Sequence, residues 1–227
     1  MTDGRDCCVY LVDGSPGPSV DRGAGRSGEG QLSLVDAGCG PAYKSIVANI
    51  IRLGFEPSEI GQVLLTHCHI DHVGGAARFR EEYGSRLIAH IADSAPCESG
   101  DRLMTAAFLY EVRFDPLPID RKLELEEEVL VVGEVALNVV HIPGHSPGSV
   151  AAYLDAGRIR VLFGQDVHGP FHPDFGSDIA AWRVSMQKLL ALEADILCEG
   201  HFGIYSPSGA ARAYIESCLD RFMGSDA

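Results

Sequence analysis

The order of predicted elements in this chain of 227 residues indicates an α/β fold with two packed sheets and helices outside them. In the first half, short buried runs alternate with helical patterns. Beyond Pro116 and Pro118, the apolar spacing changes to period two and to continuous runs, and helical spacing returns towards the carboxyl end. Strands followed by helices, twice over, suggest two sheets that each carry an outer layer of helices.

The first half is predicted to alternate strands with helices. Apolar residues recur at helical spacing from Ile46 to Leu53, and Gly54 ends that pattern. The predicted elements are strands over 8–12 and 32–36, a helix from this spacing, a strand over 62–66, a helix over 76–83, a strand over 86–90 and an amphipathic helix over 101–112. A glycine-rich loop at about 14–30 separates the first two strands.

The second half is predicted to begin as an antiparallel sheet, because its apolar runs are short and closely spaced. The predicted elements are strands over 129–132, 135–141, 149–154 and 160–163, a helix over 178–192, a strand over 195–198 and a helix over 208–222. Residues 1–227 are therefore predicted to form one domain, with the glycine-rich loop as its main irregular segment.

Composition excludes several classes of protein. Eighteen Lys and Arg residues against 32 Asp and Glu residues give a formal charge of -14, which disfavours binding to nucleic acid or to anionic lipid. We find neither a secretory signal nor an apolar run of the roughly 18 residues that a membrane span needs, so a cytoplasmic location is expected. Seven cysteines without a repeated spacing argue against a disulfide framework. The expected partner is a small-molecule substrate, and a homodimer is left open.

A turn rich in metal-ligand side chains follows the strand predicted over 62–66. Three imidazoles and a carboxylate, His67, His69, Asp71 and His72, occur within six residues. Imidazole nitrogen and carboxylate oxygen are ligands for zinc and iron. On an extended chain His67, His69 and Asp71 share one face, so the chain must bend for the adjacent His72 to contribute as well.

Three further candidates each follow an apolar strand and have glycine beside them. They are His145 in Pro143-Gly144-His145-Ser146-Pro147-Gly148, Asp166 in Phe163-Gly164-Gln165-Asp166, and His201 in Cys198-Glu199-Gly200-His201.

Together these motifs resemble the metallo-beta-lactamase superfamily of hydrolases. The segment His67-Cys68-His69-Ile70-Asp71-His72 matches the His-x-His-x-Asp-His motif of the family, and Leu34-Val35-Asp36-Ala37-Gly38 is similar to another of its signatures. The resemblance implies a four-layered αββα sandwich of two mixed sheets flanked by helices, with the metals at one edge of the sheets.

The resemblance also implies a dinuclear metal site. One ion would be held by His67, His69 and His145, the other by Asp71, His72 and His201, with Asp166 bridging the two. The implied cofactors are two divalent ions, with zinc expected first and iron or manganese as alternatives. Asp71 would also be catalytic, because it could orient the attacking hydroxide or pass a proton.

The implied activity is hydrolysis of a small ester, thioester, lactone or phosphodiester by a hydroxide that bridges the metals. A carboxylate at Asp166 resembles the glyoxalase II, lactonase and phosphodiesterase branch more than true beta-lactamases, while Gly169 stands where quorum-sensing lactonases carry Tyr. The alternative is a mononuclear iron persulfide dioxygenase of the glyoxalase II-like branch, which would use His67, His145 and Asp166.

Several residues near these motifs are candidates for substrate contacts or for structural roles. His168 and His172 follow Asp166 in a loop rich in Gly and Pro, and Tyr205 lies four residues after His201, so these three are candidate substrate contacts. Cys68 is expected to point away from the ligands and to pack in the core. His90 and His141 end strands and are expected to be structural.

Overall fold

The computed structural model describes residues 6–15 and 31–222. Most of the predicted glycine-rich loop, residues 16–30, lies outside the described residues. Among the described residues, no helix is long and apolar enough to cross a membrane.

The first sheet has five strands in the order β1-β2-β3-β4-β5. They are β1 (Tyr10–Asp13), β2 (Leu32–Val35), β3 (Ile60–Leu64), β4 (Arg86–His90) and β5 (Arg121–Leu123). The first two strands pair antiparallel, and the remaining neighbours pair in parallel. The parallel strands therefore all end at one edge of the sheet.

Four helices belong to this half, namely α1 (Tyr43–Arg52), α2 (Ile70–Val73), α3 (Ala76–Tyr83) and α4 (Ile91–Ser99). Helix α1 buries Tyr43, Ile46 and Ile50 on one face, as its periodic sequence requires. Gly84 takes the left-handed conformation that ends α3, with a φ of 73°.

The second sheet has six strands in the order β11-β10-β9-β8-β7-β6. They are β6 (Glu127–Val132), β7 (Val135–His141), β8 (Val150–Ala156), β9 (Ile159–Gln165), β10 (Ile196–Glu199) and β11 (Ile204–Tyr205). Strands β6 to β9 form an antiparallel meander, as the sequence predicted, and β10 then pairs in parallel with β9. Two helices complete this half, α5 (Ile179–Ala191) and α6 (Ser208–Phe222).

Three apolar clusters hold four layers together. One packs the first sheet against α1 and α3, for example Leu87 against Phe79. The middle cluster lies between the two sheets and includes Ile88 and Leu137. The third packs the second sheet against α5 and α6 around Trp182. Successive residues such as Leu87 and Ile88 belong to different clusters because side chains alternate across a strand. The predicted αββα sandwich is confirmed.

The helix predicted over 101–112 is wrong. Residues 102–105 and 107–111 form successive turns instead, and Ala106 and Glu111 each have a φ of 56°, which a right-handed helix does not allow. The helix of this region is α4, which precedes the segment and ends at Gly100 with a φ of 68°. The sequence also did not predict β5 and β11, which have only three and two residues.

The carboxyl ends of the central strands meet at one edge of the sandwich. Strands β3, β7, β9 and β10 all end there, because β7 is parallel to β9 through their shared antiparallel neighbour β8. The loops that follow these four strands carry the ligand-type residues found in the sequence.

Candidate metal centre

The loop after β3 brings four of the candidate ligands into the sandwich. His67 lies in a bend directly after the strand and His69 on extended backbone, and α2 then turns the chain so that Asp71 and His72 also face inwards. All four residues are buried. Cys68, between the two histidines, is fully buried in the cluster under the first sheet, as expected. The bend required by His72 is therefore supplied by one helical turn.

Three imidazoles converge as a first donor set. His145 Nε2 lies 3.2 Å from His67 Nε2 and 2.9 Å from His69 Nδ1. Zinc bound to nitrogen at about 2.0–2.1 Å in a tetrahedral site separates its nitrogen ligands by about 3.4 Å. The His145 ring is oriented by its other nitrogen, because Nδ1 donates to the Pro170 carbonyl at 2.8 Å. The three nitrogens therefore fit a single cation.

A second donor set lies beside the first. Asp71 Oδ2 is 3.3 Å from His201 Nε2 and 3.6 Å from His72 Nε2. Within the described part of the chain, His72 Nε2 is a buried atom without a hydrogen bond. A buried nitrogen with this geometry would be satisfied by a cation held among the three side chains. One carboxylate and two imidazoles are suitable donors for zinc or iron.

Asp166 lies between the two sets and offers one oxygen to each. Its Oδ2 is 3.4 Å from His145 Nε2 and 3.9 Å from His67 Nε2, while its Oδ1 is 3.3 Å from His72 Nε2 and 3.4 Å from His201 Nε2. The structure thus brings together all seven side chains that the sequence proposed as ligands.

Burial sets the charge state of the first set. It lowers the pKa of His67, His69 and His145, so these imidazoles are neutral and can offer a lone pair. Burial also opposes charge on His201, but hydrogen bonds to Asp166 and Asp71 outweigh it and raise the pKa of His201 to about 10. The second set therefore tends to hold a proton where a cation is absent.

Buried carboxylates behind the ligands fix their orientation. Asp36, which directly follows β2, accepts a hydrogen bond from His72 Nδ1 at 2.6 Å and further bonds from Thr66 and Gln165. Burial raises the pKa of Asp36, while the neighbouring His72 lowers it. Because Nδ1 is engaged, the free nitrogen of His72 is the one that faces Asp71 and Asp166.

Two further buried acids organise the ligand loops. Asp93, at the start of α4, accepts from the amides of Cys68 and Gly148 and from the Ser146 hydroxyl, so it joins the loops after β3 and β7. Glu199, at the end of β10, accepts from the amides of His201 and Phe202. Asp36 and Glu199 lie in segments singled out in the sequence, but no supporting role was predicted for either of them or for Asp93.

Glycine is required where the loops approach the ligands closely. A Cβ atom added to Gly200 would collide with Asp166 Oδ1, and one added to Gly75 would collide with the Ala37 carbonyl oxygen. These two glycines therefore allow close backbone packing around the donors.

A cleft of ≈ 490 Å³ opens above the donors. Tyr110, on the turns that replace the predicted helix, lines this cleft and donates its hydroxyl to the Asp71 carboxylate. This contact raises the pKa of Tyr110, although burial is the larger cause. Tyr110 is not among the candidate site residues from the sequence, because the segment that carries it was predicted to form a helix.

The three candidate substrate contacts fall in different places. His168 lines the cleft and has Nδ1 2.7 Å from Glu199 Oε1. His172 lies on an exposed turn outside the cleft and packs on Phe175. Tyr205 stacks on Tyr214, with ring centroids 4.0 Å apart, against the outer helix. The structure brings only His168 to the donors.

The sandwich with its edge site defines a class of protein, and comparison with known proteins agrees with it. The chain belongs to the metallo-beta-lactamase superfamily, whose family profile matches residues 26–201. Among solved structures, a B3 metallo-beta-lactamase with an active-site glutamic acid has a TM-score of 0.75 at 23% identity, covering 95% of this chain and 82% of its own. The B3 enzyme BJP-1 of Bradyrhizobium japonicum has a TM-score of 0.71 at 24% identity, covering 94% and 85%. At these identities the likeness concerns the fold.

Two curated relatives are more similar in sequence. The acyl-coenzyme A thioesterase MBLAC2 of Gallus gallus is 32% identical over 170 residues, which cover 66% of this chain and 58% of the relative. A hydroxyacylglutathione hydrolase of Cereibacter sphaeroides is 30% identical over 181 residues, which cover 77% and 59%. The chain thus spans slightly less than three fifths of the length of these two relatives.

Proposed function

We propose that this chain is a metal-dependent hydrolase that holds two divalent cations and cleaves a small ester, thioester, lactone or phosphodiester. The observation that carries the proposal is Asp166, whose two oxygens face two separate donor sets. One cation would use His67, His69 and His145, and the other would use Asp71, His72 and His201. When bound, such a pair lowers the pKa of a shared water and polarises the substrate.

The protein groups around this pair have defined tasks. The Asp71 carboxylate lies at the cleft floor, receives the Tyr110 hydroxyl and can accept a proton there. His168 is held by Glu199 with its ring at the cleft, where it can contact the substrate. Burial of the floor excludes bulk water, which strengthens the electrostatic interactions of these groups.

Zinc is the first metal in this proposal, with iron and manganese as alternatives, because imidazole and carboxylate suit all three. A relative named as an acyl-coenzyme A thioesterase supports placing thioesters first among the substrates. We further propose that the partner is a small molecule rather than nucleic acid or membrane. The proposed location is cytoplasmic, and a homodimer is one possible assembly.

The test combines metal content with turnover. Protein reconstituted separately with zinc, iron and manganese should bind about two equivalents and hydrolyse at least one member of a panel of esters, thioesters, lactones and phosphodiesters. Saturation at one equivalent with every metal would contradict the dinuclear site. Full occupancy without hydrolysis of any class would contradict the activity.

The complete second donor set favours hydrolysis over the persulfide dioxygenase alternative, which would require only His67, His145 and Asp166. An oxygen electrode separates the two reactions directly. With glutathione persulfide as the substrate, we expect no oxygen uptake by the metal-loaded protein. Rapid uptake would move the chain to the dioxygenase branch.

A further inference from the structure

The cleft above the donor sets has a polar floor and apolar walls. The floor consists of His69, Asp71, His145, Asp166, His168 and His201. The other lining residues are all apolar or aromatic, namely Ala106, Leu109, Tyr110, Pro170, Phe175 and Phe202. They come from three loops, which follow α4, β9 and β10. The polar groups are thus confined to the reacting end of the cleft.

Two of the wall residues are exposed to solvent. Leu109 is 57% exposed and Phe202 is 60% exposed, and both line the same cleft. Covering such side chains with an apolar group is favourable, since burial of apolar surface is worth about 25 cal/mol per Å². Phe175, a wall residue next to the floor, is already buried, with its ring 4.6 Å from that of His69. The apolar surface therefore runs from the donors to the mouth.

Beyond the two cations proposed at the floor, the walls of the cleft, as far as the structure describes them, offer no charged group to a ligand. Among the described residues that line the cleft, there is no Lys or Arg. Recognition of a phosphate or carboxylate usually relies on such cations, with Arg favoured where the contact is bidentate. The formal charge of the whole chain, -14, also repels anions. A phosphodiester therefore lacks a recognised contact on these walls.

We infer that this cleft selects an uncharged, apolar acyl group, so that the substrate is an ester or thioester of an aliphatic acid. The inference rests on the proposed hydrolase function and narrows its substrate class. In the reaction, water adds to the acyl carbon, the C–S or C–O bond breaks, and the products are a carboxylic acid and a thiol or alcohol. The carbonyl lies at the floor and the alkyl chain lies between Leu109 and Phe202.

A chain-length series tests the inference. N-acetylcysteamine thioesters with acetyl, butyryl, hexanoyl and octanoyl groups share one uncharged leaving group. A buried methylene is worth about 0.8 kcal/mol, and the cleft is open on one side, so kcat/KM should rise about two- to fourfold per methylene up to the length the cleft can hold. Bis(p-nitrophenyl) phosphate should be hydrolysed more slowly than any of them.

Substitutions test whether Leu109 and Phe202 cause the chain-length preference. Leu109→Ser and Phe202→Ser should each lower the ratio of octanoyl to acetyl kcat/KM by about fivefold or more. Val184→Ser is the matched control, because Val184 is 60% exposed on α5, away from the cleft, and its replacement should leave the ratio unchanged. All three side chains are exposed, so the fold should tolerate the changes, which circular dichroism can verify.

A binding measurement keeps this inference separate from the hydrolase proposal. Methyl alkyl ketones from acetone to 2-nonanone cannot be hydrolysed, and their affinity should rise with chain length in wild-type protein and much less in Leu109→Ser. Hydrolysis with a flat chain-length profile would overturn the inference alone. Length-dependent ketone binding without turnover would retain the apolar cleft and overturn the hydrolase proposal. Absence of length-dependent binding would overturn the inference.

Discussion

The Nδ1 atom of His72 lies 2.6 Å from the Oδ2 atom of Asp36, and both side chains are completely buried. Asp36 directly follows β2 and His72 lies on α2, 36 positions further along the chain. Asp36 itself has a φ of 64°, outside the range of regular structure, and is fixed by its bonds to Thr66. The orientation of one candidate ligand therefore depends on the end of a neighbouring strand.

Replacing Asp36 with Asn should weaken the second metal more than the first. The two carboxylate oxygens accept from the Thr66 amide and from His72 Nδ1, and the single oxygen of Asn cannot serve both donors, so the contact that holds the proton on His72 Nδ1 is weakened. Loss of such a supporting contact typically costs about 10–100-fold in metal affinity. Competition with a chromophoric chelator measures this affinity. Asp155→Asn, at an exposed pair with Arg160, serves as the control, and equal affinities in both variants would contradict the role of Asp36.

Asp166 and His201 should differ in how many ions they affect. Asp166→Ala removes an oxygen from both donor sets, so the affinity for both ions should fall together. His201→Ala removes a donor from the second set only, so one equivalent should remain tightly bound. Elemental analysis after gel filtration, with circular dichroism as a check on folding, measures the two stoichiometries. Retention of one tight ion by Asp166→Ala would show that this carboxylate does not bridge.

Asp71 should matter more for turnover than for folding. A general acid or base contributes about 10²–10⁴ in rate, so Asp71→Asn should lose hydrolysis by this factor while it keeps its thermal transition and at least the first ion. Turnover on the best panel substrate is measured beside metal content in the same sample. Wild-type turnover at full occupancy would show that Asp71 has no such role.

Tyr110→Phe should lower kcat less than Asp71→Asn does. It removes only the hydroxyl that donates to Asp71, and a hydrogen bond to a charged group is worth about 1.5–3 kcal/mol, so a loss in kcat of at least about tenfold is expected. Metal content should be unchanged. A loss as large as that of Asp71→Asn would mean that the hydroxyl has a direct task of its own.

Acid should destabilise the metal-free protein through His90. Burial and the stacked His141 ring, whose centroid is 3.9 Å away, lower the pKa of His90 from 6.5 to about 4. The folded state therefore binds fewer protons than the unfolded state, and this contribution to stability is lost as the pH falls from about 6.5 to 4. A shift of this size corresponds to a contribution on the order of 1–3 kcal/mol.

His90→Asn isolates this contribution. His90 Nδ1 accepts from the Ala92 amide at the start of α4, and Asn can make the same cap without titrating. The stability of the variant, measured by urea unfolding of metal-free protein, should fall less steeply than that of the wild type between pH 6.5 and 4. Parallel pH profiles would contradict the assignment.

Local patterns predicted most of the fold and the candidate ligands. The helix over 76–83 and the strand over 135–141 have the predicted bounds, because their periodicity and flanking glycines are local signals. The helical spacing over 101–112 predicted a helix that does not form. Ala106 and Glu111 adopt left-handed backbone conformations there, which depend on the packing around them and are not indicated by these residue types. For the same reason Tyr110 and the apolar walls of the cleft could not be predicted, since three separate loops form them.

The donor sets also tie the order of chain assembly to metal uptake. Each set draws two side chains from the loop after β3 and its third from a loop of the second sheet, His145 or His201. Neither half of the polypeptide alone can complete either set. A nascent chain still short of residue 201 lacks one donor of the second ion, so full loading has to follow the docking of the sheets. Bound metal then links the two halves, and its binding free energy adds to the free energy needed to separate them.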